Sequence, residues 1–183
     1  MPETAVAQAT PHEIHKLLVE RAQAALNSDS VARDCYLIIE GIDGPHNVGD
    51  NVKKAHHVYA FQLPVTNTGV SAGSLKGGGA AFGDLHFISD YNSGSPNLFA
   101  YMSQAKDISK ATLYFLDQQG GTIGTVTLEP DGDAKVYCSH FNVFKAVSKE
   151  NRPLVHGAFS FAKITHAVGS NKAGYSVAQG KKS

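Results

Sequence analysis

Apolar positions recur every three to four residues near the start of the chain and every two residues after it. Thr10-Pro11-His12-Glu13 has the form of a capping box with proline at the first helical position. Behind it Ile14, Leu17, Leu18, Ala22, Ala25 and Leu26 make one apolar stripe, while Glu13, Lys16, Glu20, Arg21 and Gln23 fall mostly on other faces. This spacing predicts an amphipathic helix over residues 11–26, ended by Asn27-Ser28-Asp29-Ser30. Such a helix needs a surface to lie on, either the domain or a neighbour.

Past residue 33 the period falls to two. Residues 34–42 (DCYLIIEGI) read as a strand closed by the Asp43-Gly44-Pro45 turn. Residues 55–66 read as a second, weakened at Pro64, which has no N–H to give a ladder. A glycine-rich loop covers 67–80, and a third strand covers 81–91. Ser95-Pro96-Asn97 opens a short helix with Leu98, Tyr101 and Met102 on one face. Strands at 111–116 and 122–128 flank Gln118-Gln119-Gly120-Gly121 as a hairpin. Two more strands follow at 134–147 and 154–168, and the tail from Gly169 reads as small and polar. Short strands at close turns with one inserted helix predict a barrel or sandwich.

Several strands are apolar on both faces. Leu113 and Phe115 lie on one side and Tyr114 and Leu116 on the other; Phe141 and Val143 oppose Phe144 and Ala146. One face fills an interior, and the second needs helices or a partner subunit. Composition points the same way. Of 183 residues only 17% are charged, against roughly 25% in ordinary soluble domains. Sixteen basic side chains balance sixteen acidic ones, which disfavours nucleic acid and anionic membrane as partners. The opening Met1-Pro2-Glu3-Thr4-Ala5 lacks the basic and apolar regions of a secretory signal, and no apolar run has the length of a membrane span. A cytoplasmic site of synthesis and folding is the expectation.

Candidate chemistry is sparse. Cys35 and Cys138 cannot make a disulfide framework and read as small buried thiols. Of nine histidines, His12 and His15 stand one helical turn apart and read as surface residues. His56 and His57 point to opposite faces of their strand, so they cannot share an ion there. His140 and His166 read as partly buried and satisfied. No metal-ligand spacing of the HExxH, CxxC or EF-hand kind occurs, so no metal and no cofactor is expected. Cys138 and His140 share a strand face at roughly 7 Å, too far for a nucleophile and its base. Gly69 to Gly79 has the composition of a phosphate cradle, but its Lys76 precedes Gly77-Gly78-Gly79 and no helix starts there. A loop that orders against another backbone is the better account.

From Gly83 to Ala111 the chain resembles the haemolysin-coregulated protein (Hcp) family, the inner-tube proteins of bacterial type VI secretion. The resemblance rests on Asp84-Leu85-His86-Phe87, Ser95-Pro96-Asn97-Leu98 and Lys110-Ala111-Thr112-Leu113. Ile39 to Gly44 is similar to the family's opening strand and turn, and residues 69–79 fall where it has an extended loop. Phe141 to Ser148 and Phe159 to Ile164 resemble its last strands, and Gly174-Tyr175-Ser176 its aromatic tail motif with Tyr for the usual Trp. The similarity covers residues 34–178. Residues 1–33 precede it, and Tyr59 to Pro64 lack the family's Trp-rich pattern.

The resemblance implies a mainly β protein: a closed β-barrel of two packed antiparallel sheets with one short flanking helix, here with an extra N-terminal amphipathic helix. It implies a 1–33 extension, a 34–178 barrel domain and a 179–183 polar tail. It implies a non-enzymatic tube subunit forming stacked hexameric rings, met by a contractile sheath, a spike and effectors carried in the lumen. Export would then proceed by expulsion, without a cleaved signal peptide. The loop residues Gly69, Gly73, Leu75, Lys76, Gly77, Gly78 and Gly79 become the candidate oligomer interface. The rival readings are a monomeric barrel that binds a small ligand or glycan inside, and a Cys/His hydrolase.

Overall fold

Helix α1 (Pro11–Asn27) starts where Thr10 and Glu13 satisfy each other's exposed backbone groups. The Glu13 carboxylate accepts from the Thr10 N–H at 2.7 Å, and the Thr10 hydroxyl accepts from the Glu13 N–H at 3.3 Å. Ile14, Leu18, Ala22 and Leu26 are buried, while Leu17 of the sequence-read stripe stands in solvent. The computed structural model describes residues 10–27, 34–67, 80–145, 152–177 and 181–182.

Fourteen strands follow or flank the second helix. They are β1 (Cys35–Ile39), β2 (His46–Val48), β3 (Val52–Gln62), β4 (Val65–Asn67), β5 (Ala80–Phe82), β6 (Leu85–Asp90), β7 (Asp107–Ile108) and β8 (Ala111–Leu116). The rest are β9 (Thr122–Glu129), β10 (Val136–Lys145), β11 (Pro153–Ser160), β12 (Lys163–Val168), β13 (Asn171–Ser176) and β14 (Lys181–Lys182). Helix α2 (Ser95–Ser103) lies against β10.

One antiparallel sheet runs in the order β14-β13-β12-β9-β8-β1-β3-β6-β11-β10-β7, with β2 on β3, while β4 and β5 pair apart. Strand β3 is the bend. Its His56 and His57 pair with β1, its Val58 to Gln62 pair with β6, and the register slips between Val58 and Ala60. The two halves therefore fold face to face. Leu113, Val126, Leu128 and Ile164 from one half meet Leu85, Phe87, Val155 and Phe159 from the other in a single core. Phe87 and Phe159 stack at 5.2 Å at its centre.

The resemblance implies a closed barrel, and the sheet is open. Among the described residues β7 and β14 end the path without pairing to each other. The physical reason lies at the two ends, since β7 and β14 are two residues long each, too short for the ladder a closed barrel needs. At the Phe161-Ala162 corner the chain crosses from β11, in one half, to β12, in the other. The same corner splits the single strand read over 154–168. The tail from Gly169 also departs from its reading, since Asn171–Ser176 forms β13 on β12.

Each apolar outer face is partly covered within the chain. Strand residues Tyr36, Ile38, Tyr114 and Leu116 are capped by Val48, Val52 and Ala55 of the β2–β3 hairpin. On the other half α1 lays its buried stripe over Ala60, Ile88 and Leu154, with Tyr59 and Phe144 at the margins. Phe144 and Phe141 do point to opposite sides, one under α1 and one towards the main core.

Candidate assembly surface and histidine seam

The glycine-rich candidates Gly69, Gly73, Leu75, Lys76, Gly77, Gly78 and Gly79 lie outside the described residues. The stem they leave from is well built. Strands β4 and β5 pair from Val65↔Phe82 to Asn67↔Ala80, so both ends of the segment are held side by side. Pro64 adds a carbonyl that accepts from the Gly83 N–H at 2.9 Å. Phe82 roots the stem by packing on Tyr175 at 5.1 Å and Phe161 at 6.1 Å. Tyr175 belongs to the tail motif read in the sequence, and the fold brings it to the base of the loop.

The sheet path has two short ends, β7 and β14, whose outer backbone edges are the sites where another strand can add. Of the exposed apolar side chains, Tyr137 pairs beside β7, while Val168 at the end of β12, Ile123 at the start of β9 and Val65 in the loop stem lie away from both ends. Phe99 of α2 is 52% exposed and rests one face on Phe141 at 5.7 Å. Scattered apolar residues are ordinary on a surface, so only Tyr137, beside a sheet edge, bears on strand addition.

The turn that leads into α2, which opens with Ser95-Pro96-Asn97-Leu98, is latched by His56. Its Nε2–H donates to the Ile42 carbonyl at 3.2 Å, and its Nδ1 accepts from the Asn92 amide at 3.1 Å. Both nitrogens are thus used by a neutral ring, and burial pushes its pKa down. Asn92 also caps the turn, accepting from the Gly94 N–H at 2.9 Å. Gly94 has no room for a side chain: a Cβ there would stand 2.5 Å from His56 Cε1 and 2.7 Å from the Asp43 carbonyl oxygen. His57 points the other way and packs on Tyr59 at 4.5 Å and Tyr36 at 5.4 Å.

A second histidine group was hidden in the sequence. His15 Nδ1 meets His156 Nδ1 at 2.8 Å, and His156 Nε2 meets His86 Nδ1 at 3.0 Å. The His140 ring lies 4.5 Å from that of His156. His15 is therefore an interface residue and not the surface histidine its spacing suggests, while His12 is exposed and so is His166. His86 pairs across from Ala158 and His140 from the same Ala158, so β6, β11 and β10 present their imidazoles on diagonal positions of one face. Only register shows this, and no spacing along the chain announces it. Burial, then the neighbouring imidazoles, pushes the His156 pKa down to about 3. Among the described residues no group of three or more His, Cys, Asp or Glu side chains is arranged to hold a metal ion.

Nucleophilic chemistry finds no support in the cysteines. Cys138 Sγ turns to the His140 carbonyl at 3.3 Å, not to its ring, and burial pushes the thiol up to about 11. Cys35 is pushed up to about 12 by burial and then by Asp34. Thiols held that far above neutrality are poor nucleophiles. The core between the sheet halves is packed with aromatic and aliphatic side chains. A groove of about 410 Å³ lies instead on the outer face of β8, β9 and β12, lined by Thr112, Thr125, Thr127, Thr165, Glu129 and Lys110 among others. No helix among the described residues is long and apolar enough to cross a membrane.

Residues 36–167 match the family described as type VI secretion system effector, Hcp. No curated relative matches the sequence. Among solved structures the chain is similar to Hcp1 from Salmonella typhimurium, at 22% identity and TM-score 0.67, covering 82% of this chain and 98% of that one. It is similar to a type six secretion system protein at 20% identity and TM-score 0.71, covering 83% and 100%. A type VI secretion system effector from Yersinia pestis aligns at 24% identity and TM-score 0.61, covering 79% and 100%. At such identities the structural likeness establishes a shared fold.

Proposed function

Because the chain belongs to the Hcp family of type VI secretion system effectors, we propose that it is a structural subunit of the secretion tube, assembling into hexameric rings that stack. The observation that carries this is the family match across 36–167, which spans the folded sheet from β1 to β12. A contractile sheath outside and a spike at the tip are the partners such a rod needs, and effectors travel in its lumen. Work is mechanical: subunits bury lateral and axial faces, and the rod is driven out of the cell without a reaction or a cofactor. Residues 34–178 are the assembling domain, residues 1–33 an accessory extension and 179–183 a polar tail.

The strand edges at β7 and β14, with the exposed Tyr137 beside β7, support lateral contact. The β4–β5 stem supports a role for Gly69, Gly73, Leu75, Lys76, Gly77, Gly78 and Gly79 as a bridge between rings, because it pairs the residues on either side of that segment. The threonine-lined groove supports a wet face, since hydroxyls and the flanking Glu129 and Lys110 favour water over an apolar partner.

Native mass spectrometry and negative-stain microscopy of the purified chain test the proposal. Six-fold rings are the expected result, and a protomer that stays single at high concentration overturns it. Removing Gly77 to Gly79 is expected to leave rings but shorten stacks, read by light scattering. Unchanged stacking would remove the loop from the axial contact.

A further inference from the structure

Helix α1 is tied to the sheet by more than its apolar stripe. His15 of α1, His156 of β11 and His86 of β6 form one hydrogen-bonded row through three rings. His15 also stands edge-on to Phe144 of β10 at 5.3 Å and stacks on His156 at 4.9 Å.

Proton counting shows what this row tolerates. Three neutral imidazoles carry three protons on six nitrogens. Each of the two N···N contacts needs one proton between its nitrogens, so the third proton sits on the outer nitrogen of His15 or His86. Filling the other outer nitrogen admits one further proton with both bonds intact. A second further proton puts two hydrogens into one N···N gap, and that bond breaks. We propose that the row is an acid-sensitive latch, which holds α1 on the β3–β6–β11 face when neutral and releases it when doubly protonated, uncovering Ala60, Ile88 and Leu154.

The surroundings favour this outcome. From α1, His12 is close enough to oppose charge on His15, and Glu13 is turned back to Thr10. From β10, His140 adds a further imidazole. Burial opposes charge on His86, and Asp84, just before β6, offsets part of that opposition. At the far end Asp90 is already engaged by the Tyr59 hydroxyl of β3 at 2.8 Å and by Arg152 ahead of β11 at 3.4 Å.

The sign follows from proton affinity. His15, His86 and His156 all lie below the ordinary value of 6.5 when docked, burial being the first cause for each. An undocked helix returns His15 to water and its ordinary affinity, so the released state binds more protons. Docking is complete above 6.5 and weakens as pH falls below it, by roughly tenfold per pH unit for each imidazole that must charge.

Hydrogen exchange of the full chain, followed by mass spectrometry from about pH 7.5 to about pH 4.5 and corrected for intrinsic rates, tests the latch. Amides of residues 11–27 are expected to lose protection on the order of tenfold or more by about pH 5, while β8 and β9 stay protected. His15→Gln keeps a side chain that can bond His156 but cannot titrate, and is expected to move release to lower pH. Leu18→Glu, a charge in the apolar stripe, supplies the signal of a released helix at every pH. The proposal is overturned by a helix equally protected across the range. It is overturned equally by α1 and β8–β9 opening at the same pH, or by His15→Gln releasing at the wild-type pH.

Discussion

The folded sheet and the α1 layer are both buried interfaces of this chain, but they are made of different material. Between the sheet halves Leu37, Leu85, Phe87, Leu113, Leu128, Phe159 and Ile164 are almost wholly buried, and the ionisable groups among them are thiols held neutral. Under α1 the apolar contact is narrower, carried by Ile14, Leu18, Ala22 and Leu26, and a row of imidazoles completes it. Contact of the first kind depends on transferred area and packing and is indifferent to pH. Contact of the second kind is sensitive to protons. The family match begins at residue 36, so α1 with His15 lies outside it while His86, His140 and His156 lie within it.

The largest expected effect comes from the sheet core. Phe159→Ala should cost about 3–5 kcal/mol, read as an earlier urea transition of the whole sheet, because Phe159 is fully buried against Phe87. Leu18→Ala tests the other layer and should cost about 2–4 kcal/mol. Its loss should show as faster exchange within residues 11–27, with the sheet transition nearly unmoved; a matching shift of the sheet would mean that the two layers are one cooperative unit.

Gly94→Ala comes next, at about 1–3 kcal/mol, since its Cβ would press on His56 and the Asp43 carbonyl. Thermal melts of the variant beside His56→Asn would show whether the clash acts through the His56 latch, in which case the two losses are not additive. Thr10→Ala is the smallest, at about 1 kcal/mol, through loss of the hydroxyl that accepts the Glu13 N–H. Far-UV circular dichroism should report a slightly frayed α1 and an unchanged sheet.

Legibility varies from element to element. The β8–β9 hairpin could be read because Gln118 to Gly121 interrupts two apolar runs, and Gly120 takes the positive φ the turn requires. The split of 154–168 could not, because Phe161-Ala162 continues an apolar run and carries no turn residue. Strand β13 was missed for the converse reason, an edge segment whose Asn171, Lys172 and Ala173 are all exposed and show no alternation. Likewise the Cys138–His140 pair shares a run but not a geometry, since a register shift between them turns the thiol to a carbonyl.

Local order determined the change of period after residue 33, the turns, the apolar pairs Leu113/Phe115 and Tyr114/Leu116, and the motifs that carry the family likeness. These depend on neighbours along the chain, where φ/ψ preference and side-chain alternation act over a few residues. Only the tertiary structure decided whether the sheet closed, what covered its outer faces, and that His15, His86, His140 and His156 meet. Those outcomes depend on which strand lies beside which and in what register. A slip of one residue would have sent each strand imidazole to the opposite face, and nothing within a single segment encodes that choice.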